Sequence, residues 1–527
     1  MPVTPTYPGV YVEEIPSGVR TIIGVPTSIT AFIGRALRGP VDEPVTINGL
    51  ADFERIFGGL WIGSSLGFAV QDFYLNGGGQ AIIVRVTGAG SSVAALEDSG
   101  HGLSLKAASE GAWANQIRAR IDTNVLQASA DALGVDLADL FNLTVRNGAT
   151  GEIETFPNVT FKDSPRRLDR ILAANSQLVR VELNAQGGPA VGSAVVPHAA
   201  ATDAVWTSSL QSSPVSTNGS NDTGLAEADV LGSAASKTGL YALEKADIFN
   251  LLVIPPYTAT GDVDTALWPQ AAAYCERRRA VLLIDPPSGW TSKDAAKAGV
   301  TSGADAANFT TSKNAALYFP RILRPNPFHD NMLEPFAPSG AVAGVFSRTD
   351  GARGVWKAPA GLEATLNGVV DLSVPLTDPE NGELNPLGIN CLRIRPAAGP
   401  TVWGSRTRQG DDRLASEWKY VPVRRLALYL EESLYRGLQW VVFEPNDEPL
   451  WAQIRLNAGG FLQNLFRQGA FQGSTPQQAY FVKCDRETTT QNDIDRGIVN
   501  VVVGFAPLKP AEFVILKIQQ IAGQIQT

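Results

Sequence analysis

Near its C-terminus the chain carries two β-rich runs whose natural pairing is a hairpin too short to stand alone. In residues 480–485, Tyr-Phe-Val-Lys-Cys-Asp, Tyr480, Val482 and Cys484 fall on one face and Lys483 and Asp485 on the other, the period-two pattern of a half-buried strand. The return run, 498–505, is apolar at nearly every position, with Val499, Val501 and Val503 along it. A polar loop rich in Thr, Asp and Asn joins the two. An isolated hairpin is marginal in water, and its two edges present unpaired N–H and C=O groups that template further strands. Those edges need cover.

Two segments at the chain ends suit that role. Residues 9–15, with Val10, Tyr11, Val12 and Ile15, form an extended run between Pro8 and Pro16. Residues 512–518, with Phe513, Val514, Ile515, Leu516 and Ile518, form another, set off by Pro507 and Pro510 and followed by a Gln-rich tail. An apolar strand at a terminus is tied into a sheet or frays. Pairing within the subunit and strand exchange between subunits both satisfy the pattern. Pro16, Ser17 and Gly18, then residues 21–25 with Gly24 and Pro26 as punctuation, predict a hinge between arm and body. Pro507 and Pro510 mark the C-terminal hinge.

The body between these arms is large. At 527 residues it suggests about three domains of roughly 100–200 residues each. Hydrophobic residues at 44% and charged residues at 18% place it among globular chains. A net charge of −9 gives no basic face for nucleic acid. The first residues lack a basic, then apolar leader, so no signal peptide is read, and no run of about 18 apolar residues predicts a membrane span. Cys275, Cys391 and Cys484 are odd in number and far apart, which suits a reducing compartment and buried thiols rather than disulfides or zinc.

Along the chain, residues 28–34 read as a short buried strand and 48–57 as a helical turn with Phe53, Ile56 and Phe57 on one side. Ser64 or Ser65 caps a helix carrying Leu66, Ala69, Val70, Phe73 and Tyr74 at three- and four-residue spacing, stopped by Gly77 to Gly79. Strand 81–86 follows. From residue 88 short strands recur at 103–106, 116–122, 141–147, 152–158 and 178–183, which predicts a β-sandwich or barrel inserted over residues 96–195. The Ser-, Thr- and Gly-rich tract 198–221 reads as a linker or mobile loop. Strand 249–254, helix 269–279, strand 280–285 and strand 315–323 then alternate, the pattern of a parallel α/β sheet. Arg277, Arg278 and Arg279 suit the negative pole at that helix's end. Two amphipathic helices close the body, one over 423–435 with Leu426, Leu430 and Leu434. The other, from Pro449, carries Trp451, Ile454, Ala458, Phe461, Leu462, Leu465 and Phe466, enough to cover the hairpin.

Catalytic signals are weak. Gly63 to Gly67 matches G-x-S-x-G, but the residues before it make a poor buried strand, so a helix cap explains Ser64 and Ser65 better than a nucleophile elbow. The three histidines, His101, His198 and His329, fall in separate segments. Residues 231–238 lack the glycine of a phosphate loop before Lys237, and Asp493 and Asp495 lack the later glutamate of a calcium loop. No catalytic, cofactor or metal site is expected.

Residues 7–14 (YPGVYVEE), the block 418–449 (WKYVPVRRLALYLEESLYRGLQWVVFEPNDEP) and the closing run 493–510 (DIDRGIVNVVVGFAPLKP) resemble the tail sheath proteins of contractile phage tails and related injection machines. The likeness spans most of the chain and also covers residues 64–86 and 337–361. It implies an α/β, α+β overall, multidomain fold. The domains would be an N-terminal arm and hinge over 1–25, the first part of an α/β body over 26–95 and the inserted β-sandwich-like domain over 96–195. A flexible linker over 196–225, a subtilisin-like parallel α/β domain over 226–400, a C-terminal sheath domain over 401–510 and a C-terminal arm over 511–527 would follow. It further implies that arms from neighbouring subunits complete the C-terminal sheet, knitting hexameric rings into a helical sheath. Copies of the chain itself, an inner tube protein, baseplate and tail terminator proteins are the implied partners. Assembly would take place in the cytoplasm of the producing bacterium, before incorporation into a virion tail or a released injection particle. A subtilisin-like hydrolase is the enzymatic alternative, disfavoured by the scarce histidines and the absent Gly-Thr-Ser box. A non-contractile self-assembling shell is the other alternative.

Overall fold

A computed structural model describes residues 20–183 and 195–517. The arm residues Val10, Tyr11, Val12, Ile15 and Ile518 and the hinge residues Pro16, Ser17 and Gly18 lie outside the described residues.

The body opens with β1 (Thr30–Gly34), β2 (Val45–Ile47) and β3 (Ala81–Arg85). Between β2 and β3 lie helices Leu50–Phe57 and Leu66–Leu75. The second starts where Ser64 Oγ accepts from Leu66 N at 3.1 Å, while Ser65 Oγ donates to the Pro256 carbonyl instead. It stops where Gly77 takes φ +101, a conformation that favours glycine.

A β-rich insertion follows, with β4 (Val93–Asp98), β5 (Leu103–Glu110), β6 (Ile117–Asp122), β7 (Leu140–Asn147), β8 (Ile153–Thr160) and β9 (Val179–Val181), and with short helices Gln127–Leu133 and Leu168–Asn175 between them. They form two antiparallel three-stranded sheets, β4-β5-β9 and β6-β7-β8, around one core that includes Leu105, Ile121, Phe141 and Val145. The tract after it, expected as a flexible linker over 196–225, packs back onto this unit. Ser213 N donates to Ala119 O at 2.8 Å and Thr217 exchanges both backbone bonds with Ala95. Ser212, Ser213 and Ser216 are fully buried because their hydroxyls bond the β6 backbone, neighbouring side chains or nearby carbonyls. The insertion's structural unit therefore reaches from residue 92 to residue 220, where Ser92 and Ser220 bridge. Small polar residues read as linker because nothing in composition distinguishes a solvated hydroxyl from one spent on a sheet edge.

The body resumes with β10 (Leu251–Val253), β11 (Val281–Ile284), β12 (Ala315–Phe319), β13 (Ile322–Asn326), β14 (Met332–Phe336), β15 (Asp371–Leu372), β16 (Ile389–Arg395) and β17 (Gly399–Val402). The run expected as one strand over 315–323 divides between β12 and β13, since Pro320 has no N–H to continue the ladder. The main sheet has the order β17-β16-β12-β11-β10-β1-β3-β2. Its six central strands are parallel, with antiparallel β2 and β17 at the edges. Alternate residues face two cores. Ala31, Ile33, Leu252 and Leu282 meet helix Leu267–Arg277. Phe32, Val253 and Leu283 meet helices Leu66–Leu75 and Ser339–Arg353. Burial on both faces is what makes these strands read as continuous apolar runs. At the end of helix Leu267–Arg277, Arg278 donates to the carbonyls of Leu243 and Ala246 at 2.7 Å, and Arg279 pairs with Glu432 at 2.8 Å.

The C-terminal part consists of helices Val421–Gly437 and Glu448–Arg467 and the hairpin β18 (Tyr480–Lys483) and β19 (Val502–Phe505). Leu426, Leu430, Phe461, Leu462 and Leu465 form the floor on which that hairpin rests. No helix of the described residues is long and apolar enough to cross a membrane.

Candidate functional site

The hairpin pairs Tyr480 with Phe505 and Val482 with Val503. Tyr480, Val482, Val503 and Phe505 face the helical floor, and the Tyr480 hydroxyl donates to Gln463 Oε1 at 2.7 Å. On the opposite face Phe481 and Val502 remain 50% and 44% exposed, apolar side chains without cover. Each strand has only the other as partner, so among the described residues both outer edges are open.

The ladder is shorter than the sequence predicts. Asp485 Oδ1 accepts from the N–H groups of Glu487 and Thr488, which turns the chain away directly after β18. Cys484 lies in that turn and is buried with Leu450, Trp451 and Ile454; burial pushes its thiol up to about 11, which disfavours the reactive thiolate. Val499 and Val501, expected in the return strand, pack against the same cluster outside the ladder. Their neighbours bond to side chains instead: Asn446 Nδ2 donates to Ile498 O at 3.0 Å, and Asn500 N donates to Thr489 Oγ1 at 3.1 Å.

Past β19 the chain stays attached through the expected hinge. Gln472 N donates to Ala506 O at 2.9 Å and Pro507 bridges Phe471. Beyond Pro510, Glu512 enters a polar clamp that nothing local in the sequence signals. Its carboxylate takes a two-pronged bond from Arg406 (Nε to Oε1 and Nη2 to Oε2, both 2.7 Å). Asn385 Nδ2 donates at 2.7 Å and the Tyr420 hydroxyl at 3.0 Å. Arg406 is buried, with its side chain 1% exposed, and it is also held by Asp412 at 3.0 Å. Burial pushes the Glu512 carboxyl up, but the bonds from Arg406 and Asn385 and the Arg406 charge outweigh it and leave it below the usual glutamate range. The free segment therefore begins after Glu512 rather than at the prolines. Phe513, Val514, Ile515 and Leu516 are 72–82% exposed and carry no strand pairing.

The other chain end leaves the body beside the same helices. Residues 21–25, expected as hinge, are anchored to the body at Ile22 and Val25, while Ile23 stays 81% exposed. Ile22 is buried against Gly437, Val25 N donates to Ser433 Oγ at 3.2 Å, and Arg20 N donates to Asn457 Oδ1 at 3.2 Å with its guanidinium 4.6 Å from the Trp440 ring centre.

The residues weighed for catalysis are committed elsewhere. Ser64 Oγ donates to Arg35 O at 2.7 Å. Asp285, a buried carboxylate that the sequence pattern does not single out, accepts from Ser339 N and Oγ at 2.8 and 2.6 Å, which caps the helix that Ser339 starts. Two histidines that are 97 residues apart in sequence meet: the rings of His101 and His198 stack 3.7 Å apart and within 8° of parallel. Asp98 bridges them at 2.8 and 3.0 Å. These three groups offer ligand atoms close enough for a metal, yet the geometry is unsuited to one. Parallel rings cannot both direct an in-plane lone pair at one ion. His198 Nδ1 accepts from Ile121 N at 3.1 Å, so its proton sits on Nε2 and is donated to Asp98. The trio is a hydrogen-bonded clasp between the β4–β5 turn and the returning tract.

Two family models match the chain. The phage tail sheath protein central domain matches residues 230–408 and the phage tail sheath C-terminal domain residues 415–521, together more than half of its length. Comparison with curated proteins returns no match. Among solved structures, a chain of the anti-feeding prophage baseplate aligns with TM-score 0.56 at 23% identity, covering 98% of this chain and 100% of that one. The sheath complex of an extracellular contractile injection system, PVC, in its contracted state aligns with TM-score 0.55 at 21% identity over 98% of both chains. The sheath tail protein of Listeria innocua aligns with TM-score 0.56 at 13% identity, covering 93% of this chain and 96% of that one. At these identities the structural likeness is one of fold.

Proposed function

The chain belongs to the phage tail sheath family, and on that premise we propose that it is a structural subunit of a contractile sheath. Subunits polymerise as stacked hexameric rings around an inner tube protein, are held extended, and shorten to drive the tube through a target cell envelope. Baseplate and tail terminator proteins close the two ends. Assembly takes place in the cytoplasm of the producing bacterium, and the product is a virion tail or a released injection particle.

One observation carries this reading: an apolar run, 72–82% exposed at Phe513 to Leu516, leaves a clamped base beside a two-stranded hairpin with open edges. Donor and acceptor of one strand-exchange contact thus coexist on one chain, and they complete each other between copies. Each Val, Ile, Leu or Phe buried on a neighbour adds about 1.5–3 kcal/mol, and repetition along a polymer multiplies the contact by avidity. Rings joined through arms can rotate as near-rigid bodies without separating, because the segments outside the clamps absorb the backbone change. The contracted state described for the PVC sheath supports the same behaviour here.

The test is electron microscopy of the purified chain, alone and with its tube protein, without nucleotide or enzyme. Tubes are expected from the chain alone, and two tube lengths, before and after a chemical trigger, with the inner tube present. Tubes of a single length would favour a static shell, and a monodisperse monomer under every salt condition would overturn assembly altogether.

A further inference from the structure

The insertion carries a small pocket on its outer sheet face that the assembly does not explain. In the pairing of β6 with β7, Arg118 stands directly opposite Arg146. Both alternate with buried neighbours, Ile117 and Ala119 on one strand, Val145 and Asn147 on the other, so both project from the face away from the core. Like charges directly opposite on paired strands destabilise a sheet. The carboxylates at the start of β8 and just before it are engaged elsewhere: Glu152 pairs with Arg38 at 2.7 Å, and Glu154 accepts from Gln177 N at 2.6 Å. Among the described residues neither Arg118 nor Arg146 has an ion-pair partner. Arg118 donates to a neutral oxygen, the Ser213 carbonyl, at 2.8 Å.

The returning tract builds the opposite wall. Trp206 lies with its ring centre 5.9 Å from the Arg146 guanidinium, and with Gln116, Gly148 and Val215 it lines an open hollow of about 210 Å³. Two arginines without a carboxylate partner among the described residues, an indole and a side-chain amide thus line one hollow.

We propose that this pocket binds a carboxylated pyranose, a uronic acid or a sugar acid like it. Two guanidinium groups lining one hollow offer forked donors to the two oxygens of a carboxylate, and such a ligand offsets the like charge of the strand pair. The indole offers an apolar plate with a polar tip on which the C–H face of a sugar ring rests. The Gln116 amide supplies a donor and an acceptor for ring hydroxyls. The cavity is smaller than the roughly 300 Å³ at which drug-sized ligand pockets begin, so it admits one ring. Inorganic phosphate offers the same charge but no face for Trp206 and Val215.

Saturation-transfer NMR on the full-length chain tests this with sodium glucuronate, glucose and inorganic phosphate as separate probes. Transfer to the glucuronate ring protons is expected, with none to glucose at equal concentration. Arg146→Gln weakens glucuronate at least tenfold; among the described residues that guanidinium has no hydrogen bond, so the fold is retained, as an unchanged melting temperature would establish. Arg146→Lys, which keeps the charge and loses the fork, gives an intermediate affinity. Trp206→Ala abolishes transfer to the ring protons. Absence of transfer in the wild type, or transfer unchanged by Arg146→Gln and Arg146→Lys, overturns the site. Phosphate displacing glucuronate at equal concentration, with Trp206→Ala neutral, overturns the sugar.

Discussion

Glu512 divides the C-terminal segment into a docked base and a free arm, and its chemistry sets how firmly the base holds. Glu512→Gln leaves the neutral amide facing Arg406, a buried cation that keeps only Asp412 as a charged partner. Loss of a charged hydrogen-bonded pair costs about 1.5–3 kcal/mol, and hydrogen–deuterium exchange over residues 508–517 is expected to rise while the body's exchange is unchanged. Acid acts on the same bond. The carboxyl is held below the ordinary glutamate value of 4.5, so its contribution is complete above that pH and disappears as pH falls through the lower folded value. Docking is therefore expected to be equal at pH 7 and pH 5 and to weaken progressively as pH falls below 4.5. His198 behaves with the opposite chemistry and the same sign. Burial first, then the neighbouring His101, lowers its value from 6.5 against the opposing pull of Asp98. The folded insertion thus favours the neutral ring and loses stability as pH drops below 6.5. His198→Asn is expected to flatten that pH dependence between 7 and 5, read as exchange at Ile121 and residues 195–199. An equal slope in the variant would assign the effect to other groups.

At the scale of elements, the parts legible in sequence are those with one buried face. The insertion strands alternate, and the helix Glu448–Arg467 shows a stripe at Trp451, Ile454, Ala458, Phe461 and Leu465, all buried. The helix Ser339–Arg353 shows none, because its first two turns are buried all round. What fixes its place is close approach. A Cβ on Gly344 would fall 2.4 Å from Phe73 O, and one on Gly340 2.2 Å from Ala69 O. Gly344→Ala is thus expected to push the helix Leu66–Leu75 away at a cost of about 1–3 kcal/mol, measured by urea titration. A variant as stable as the wild type would mean that the two helices can separate freely. The candidate site was legible in the same uneven way. The apolar run Phe513 to Leu516 and the inward set Tyr480, Val482 and Val503 follow from local pattern. The Glu512–Arg406 clamp joins residues 106 apart, and the Asp98, His101 and His198 clasp depends on a tract that composition presents as linker. Long-range polar pairs leave no periodic trace.

For the whole molecule, the decisive property is that the exposed arm contributes nothing visible to the fold it leaves. Residues 513–517 make no strand and stay exposed, whereas the hairpin beneath is supported by its own helices. Ending the chain after Glu512 keeps the clamp intact and removes the exposed run Phe513 to Leu516 that is proposed to pair with another copy. The truncated chain is therefore expected to melt within about 2 °C of the full-length monomer, since a large domain shifts by only a few degrees per kcal/mol. It is also expected to lose assembly, because each missing apolar side chain removes about 1.5–3 kcal/mol from every contact along the polymer. Sedimentation velocity and electron microscopy on the same sample separate the two effects. A truncated chain that still forms tubes would place the coupling between subunits in the body surfaces or the N-terminal arm, and one that melts far below the full-length chain would mean that the arm folds back on its own subunit.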